Sequence, residues 1–295
     1  MEDRTPVAVA QGAVQDRREF LATFGGSVGA ALLACAWRDA DGGGGARLGP
    51  IGLQLYTVRS EMQKDVEATL ARVAEIGYQE VEFAGYFGKR PAELRSLLEK
   101  YHLRAPSAHV PFESTGAAWA ATLDAAKVVG HEYLVVPWLP AVNRGTLDDY
   151  QRVADRLNHA AAQAKEAGVR FAYHNHDFEF APLEGRLPYD VLLQATDPTL
   201  VAMELDLYWI IKGGQDPSAY FARTPGRFAM VHVKDSAGPP AHRMVDVGRG
   251  IIDFKGILAH RAQAGIHHFF VEHDEPPDPF ASARASFAYL SRLEV

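Results

Sequence analysis

Residues 227–235 read "RFAMVHVKD". The run from Phe228 to Val233 is apolar apart from one histidine, as in a strand covered on both faces. It closes on His232, Lys234 and Asp235, so a buried strand delivers three polar side chains to its C-terminal rim. Runs of the same form recur along the chain, and their number and spacing set the fold.

From residue 50 onward, short apolar runs alternate with helical stretches. "IGLQLYTV" (51–58) precedes a helix over 66–75, "EVEFAG" (80–85) one over 91–101, and "LRAPSAHV" (103–110) one over 117–129. "YLVVPW" (133–138), "VRFAYHNH" (169–176) and "LVAMELDLY" (200–208) are followed by helices over 147–167, 189–195 and 217–223. "RFAMVHVKD" leads into 254–264, and "HHFFVEHDE" (267–275) into 281–293. Eight strand-then-helix units in roughly 245 residues predict a single-domain α/β fold, a (β/α)8 TIM barrel over residues 50–295. An open doubly wound sheet would carry a Gly-rich phosphate turn after its first strand, and "QLYTVRSE" is not one. "AEIGY", "KEAGV" and "AQAGI" each end a helix on glycine, as a left-handed C-terminal cap requires.

The 295-residue chain is 47% hydrophobic and 23% charged, with a net charge of −7. No basic stripe is present, which argues against a nucleic-acid partner and against an AP-endonuclease-like reading. The single cysteine, Cys35, rules out an internal disulfide and a cysteine zinc site. The segment "DRREFLATFGGSVGAALLACAW" (16–37) has a twin arginine, an apolar middle and a small-residue end, the order of a Tat-type export signal. We therefore expect a cleavable signal over 1–36, with Cys35 at a lipobox position, and a Gly-rich linker over 37–49. The expected location is periplasmic or membrane-anchored, with membrane contact only through the signal or a lipid on Cys35.

In a barrel the C-terminal strand ends converge on one mouth. Those ends carry Glu82, His109, Trp138, His174, His176, Glu179, Glu204, Asp206, His232, Lys234 and the run Glu272–Glu275, whereas the opposite ends are mostly Gly, Pro or ordinary surface residues. Glu179, Asp206, His232 and Glu272 fall on successive units five to eight. Three carboxylates and an imidazole suit one divalent metal ion, with Mn2+ expected ahead of Mg2+, Co2+ or Zn2+. Expected substrate contacts are His109, His176, Lys234, Glu82, Trp138 and Trp209.

With "YHNHDFEF", "ELDLYW", "VHVKD", "VGRGIIDF" and "FVEHDE" in place, residues 50–295 resemble the sugar phosphate isomerase/epimerase family of xylose isomerase-like barrels. The resemblance implies that Glu179, Asp206, His232 and Glu272 hold the metal and that Glu179 and Glu272 act as an acid/base pair on opposite faces of a sugar. It further implies an isomerase or epimerase working on a keto-sugar or 3-keto-glycoside by proton abstraction beside a carbonyl, through a metal-bound enediolate. The alternative is a lyase or dehydratase using the same intermediate; a non-catalytic sugar-binding lipoprotein is a third reading. A partner oxidoreductase would supply such a substrate, and a homo-oligomer is compatible with the family. Two positions depart from the pattern: Trp209 stands where ketose 3-epimerases have a substrate-binding histidine, and Arg249 replaces the acidic residue of a "GEG" loop.

Overall fold

The computed structural model describes residues 47–295. The expected signal over 1–36, Cys35 and most of the 37–49 linker lie outside the described residues. Eight parallel strands close into a barrel: β1 (Ile51–Gln54), β2 (Glu80–Phe83), β3 (Arg104–His109), β4 (Tyr133–Val136), β5 (Arg170–His174), β6 (Val201–Asp206), β7 (Phe228–Val233) and β8 (His268–Val271). β1 pairs with both β2 and β8, which closes the ring. Arg47 adds an antiparallel bridge to Glu294.

Alternation along each strand sorts side chains between two cores. Residues such as Val231, Val233, Leu205, Tyr173 and Val271 join the large core against the outer helices. Tyr133, Val135, Ala172, Met230 and Phe270 fill the lumen. Gly52 in β1 has a steric origin: a Cβ there would lie 2.4 Å from the Phe270 ring that plugs the lumen. The expected glycine caps are formed at Gly77 and Gly265, where φ is 118° and 88°.

Two expected strands are shorter than their apolar runs. β1 stops at Gln54, whose side chain accepts from the Tyr56 N–H and opens a 3-10 turn, Leu55–Val58. β6 stops at Asp206, whose carboxylate accepts from the N–H groups of Tyr208 and Trp209 and starts a helix, Leu207–Lys212. The "LYW" of the motif is therefore helix.

After β7 the chain makes a two-stranded ribbon, Asp235–Ser236 with Met244–Val245. The buried Asp235 carboxylate ties this excursion down, accepting from the backbone of Ser236, Gly248, Gly250 and Ile252 at 2.8, 2.9, 2.8 and 3.2 Å. Replacing Asp235 by Ala orphans these donors, so a loss of about 2–4 kcal/mol is expected in urea denaturation; Asp235→Asn should lose less because its one carbonyl still accepts.

Candidate metal centre and active-site mouth

Strand register, together with the period of two, builds the mouth. His174 lies level with Glu204, Asp206 with His232, and Gln54 with Glu82. Inward positions two residues apart on one strand then form two tiers, one deep and one at the rim.

The deep tier contains Glu82, Ser107, His109, Glu204 and the Nε2 side of His232. Glu82 is fully buried and accepts from Gln54 Nε2 at 2.7 Å and from the Ser107 hydroxyl, with His232 Nε2 at 2.6 Å. Glu204 is shared by His109 Nε2 at 2.8 Å and His174 Nδ1 at 3.1 Å. Burial would raise the Glu82 pKa, but His109 and His232 outweigh it and hold the carboxylate well below its ordinary range. Reciprocally, burial lowers His109 while Glu82 and Glu204 raise it further, to about 9.

The rim tier is made by His174 Nε2, Asp206, His232 Nδ1, Lys234 and Glu272. His232 Nδ1 lies 2.7 Å from Glu272 Oε2, and 3.9 Å from Asp206 Oδ2; His174 Nε2 lies 3.8 Å from that same oxygen. The buried Lys234 ammonium spans Asp206 at 3.2 Å, Glu272 at 2.8 Å and Asp274 at 2.8 Å. These three carboxylates outweigh the burial of Lys234 and keep it cationic. Burial raises Asp206 to about 6 against the pull of Lys234 and His232. Glu272 is driven the other way, below the ordinary range, because Lys234 and His232 overcome its burial.

Of the four expected metal ligands, Asp206, His232 and Glu272 come together, with donor atoms all within 4.8 Å of one another. Glu179 does not join them. It sits on a 3-10 turn, Phe178–Phe180, beyond β5, and its carboxyl is fully buried. There it accepts from the Tyr173 hydroxyl at 2.5 Å and the His176 N–H at 2.8 Å. Tyr173 belongs to the outer core, so here Glu179 is engaged at the helix side of the strand end and stands apart from the other three. His174 stands at the edge of the rim set instead. Its inward position on β5 follows from the alternation that places Ala172 in the lumen, a signal present in the sequence.

Glu82, expected at the substrate, lies under the mouth with its oxygens bonded to protein groups. His109, His176, Lys234 and Trp138 do line a cavity of about 760 Å³ over the rim tier. Trp209 faces a second cavity of about 770 Å³, walled by the ribbon after β7 and including Arg243 and Arg249. The two share Asp274 and Glu275. Arg249 is largely solvent-exposed, with Asp246 3.9 Å away. Among the described residues His176 Nδ1 and Trp209 Nε1 are buried with no hydrogen-bond partner. Burial and nearby Lys234 push His176 down to about 3, so its imidazole is neutral.

The rim donors fit a divalent cation. Asp206 Oδ2 is buried and receives no aligned hydrogen bond although Lys234 lies near, and a hard oxygen pair with one or two imidazoles is a common divalent set. His232, Asp206 and Glu272 would hold the ion, with His174 beside them.

A closed (β/α)8 barrel with histidines and carboxylates converging at its C-terminal mouth is the architecture of an enzyme. The chain belongs to the xylose isomerase-like TIM barrel family, whose model matches residues 70–293. It is similar to an inosose dehydratase of Lacticaseibacillus casei, 26% identical over 272 residues that span 78% of this chain and 91% of the relative. Two sugar phosphate isomerase/epimerase structures from Parabacteroides distasonis are also similar. One has a TM-score of 0.73 and 30% identity over 82% of this chain and 98% of the other; the second has 0.72 and 26%, over 86% and 95%.

The buried carboxyl of Glu179 has a pH signature. Burial lifts it from 4.5 to about 8 against the bonds from Tyr173 and His176. A raised folded-state value means that the contribution of its bound proton is complete below the unfolded value and is lost as pH rises through the folded one. Between those limits, Glu179→Gln should gain on the parent by about 1.4 kcal/mol per pH unit in denaturant midpoints converted to free energy. It should also retain divalent-metal binding, and a loss of metal would return Glu179 to the ligand set.

Proposed function

We propose that this protein is a divalent-metal-dependent lyase that removes water from a polyhydroxylated ketone, a keto-sugar or keto-cyclitol, by way of an enolate. The observation that carries this reading is the position of Glu179. Epimerisation by two glutamates needs a carboxylate on each face of the substrate, and one of the pair is engaged by the Tyr173 hydroxyl and the His176 N–H. The remaining acid/base groups, Glu272, Lys234 and Asp274, cluster on one side of the mouth, which suits a syn elimination. The similarity to an inosose dehydratase supports the same choice.

A bound divalent cation would supply Lewis acidity at the substrate carbonyl. Glu272, kept ionised by Lys234 and His232, accepts the proton from the carbon beside that carbonyl. The C–H electron pair moves into an enolate, and the Lys234 ammonium stabilises the oxygen that gains charge. Collapse of the enolate breaks the β C–O bond. Glu272, now carrying the proton it took, gives it to the departing hydroxide, which leaves as water, while Asp274 holds the Lys234 ammonium beside it at 2.8 Å. The neutral His176 and the exposed face of Trp138 orient the ring.

The second reading is isomerisation or epimerisation from the same enolate, which the Parabacteroides relatives at 26% and 30% identity support. The adjoining cavities give room for a substituent beyond one ring, so a 3-keto-glycoside fits either outcome. The export reading of residues 1–36 favours such compounds over sugar phosphates and suggests a partner oxidoreductase that makes the ketone.

Solvent-deuterium exchange at the carbon beside the carbonyl, followed by NMR on a panel of keto-cyclitols, keto-sugars and 3-keto-glucosides with Mn2+, tests the reading. Exchange should vanish with EDTA and fall at least ~100-fold in Glu272→Gln. Asp274→Asn, which loosens the hold on Lys234, should slow exchange and formation of the unsaturated product together. An inverted sugar without loss of water would select the epimerase reading, and the absence of exchange throughout the panel would remove the enolate chemistry.

A further inference from the structure

We propose that Glu82 is a positioning residue that fixes the proton of His232 on Nε2 and so presents Nδ1 to the metal; the inference rests on the metal reading above. The described residues offer a cation two competing homes that both use His232. One is the rim set with Asp206 and Glu272, reached through Nδ1; the other is the deep group of His109, His174 and Glu204, reached through Nε2. Each nitrogen faces a carboxylate, Nδ1 on Glu272 at 2.7 Å and Nε2 on Glu82 at 2.6 Å, and the nitrogen that keeps its proton when a cation binds decides between the two homes.

The surroundings of Glu82 favour the rim. Its Oε2 is 2.6 Å from His232 Nε2, whereas Glu204 is 3.2 Å away and already engaged by His109 and His174. Glu82 is also held in place. The Tyr56 N–H donates to Gln54 Oε1, which orients the Gln54 amide so that Nε2 donates to Glu82, and the Ser107 hydroxyl bonds its other oxygen. A fully buried carboxylate with these donors has no solvent-facing alternative and accepts the imidazole N–H. His174 repeats the arrangement, its Nδ1 on Glu204 and its Nε2 towards Asp206. The carboxylate behind each imidazole orients the ring and makes its rim-facing nitrogen a stronger donor.

The test uses the full chain labelled with 15N-histidine and loaded with Zn2+, a diamagnetic probe. Long-range 1H–15N spectra should show His232 protonated at Nε2 and bonded to zinc through Nδ1; zinc on Nε2 would place the ion in the deep group and overturn the proposal. By calorimetry, Glu82→Gln should weaken Zn2+ binding roughly 10–100-fold, and unchanged affinity would overturn it too. Should this variant not fold, the wild-type spectrum alone decides the question. If wild-type protein fails to bind zinc, manganese or cobalt, the metal reading falls as well; binding through the wrong nitrogen removes the role of Glu82 alone.

Discussion

Burying acidic side chains at the C-terminal mouth of a barrel lumen is the constraint on which the rest of this structure depends. Glu82, Glu204, Asp206 and Glu272 are all buried within a few ångströms of His174, His232 and Lys234. An isolated buried carboxylate is costly enough to protonate or to disrupt the fold. Here each is compensated by an imidazole or the Lys234 ammonium, and the compensation is least complete at Asp206, whose pKa rises and whose Oδ2 lacks an aligned donor. That residual deficit is where a cation is best accommodated.

The same constraint divides labour between the tiers. Polar residues at two-residue spacing, His174/His176, Glu204/Asp206 and His232/Lys234, give each strand one deep group and one nearer the solvent. The deep groups bond one another, Glu204 Oε1 excepted, and hold the imidazoles still. The upper groups keep free valence for substrate and metal. The ribbon anchored by Asp235 then adds the wall of a second cavity without contributing to the ionic cluster.

The fold was legible because near-continuous apolar runs, glycine helix ends and a repeat of eight units all point to one architecture. Asp206, His232 and Glu272 were legible because each sits on or directly after its strand, where alternation fixes direction. The contacts of Glu179 were not, because it follows the end of β5 at His174 by five residues and a short 3-10 turn carries its carboxyl to Tyr173. Glu82 was assigned to the substrate because sequence gives the face of a residue and not its depth; Gln54 and Ser107, which reveal that depth, lie on neighbouring strands. Trp209 moved to the second cavity because Asp206 caps a helix that apolar patterning alone extends as strand.

The account stands on one cation site at the rim. Crystals grown with Mn2+ and measured at a wavelength giving manganese anomalous scattering locate it directly. The account predicts a single strong peak among Asp206, His232 and Glu272, with His174 beside it and Glu179 still bonded to Tyr173. A peak in the deep tier, a peak held by Glu179, or none at saturating Mn2+ would contradict it.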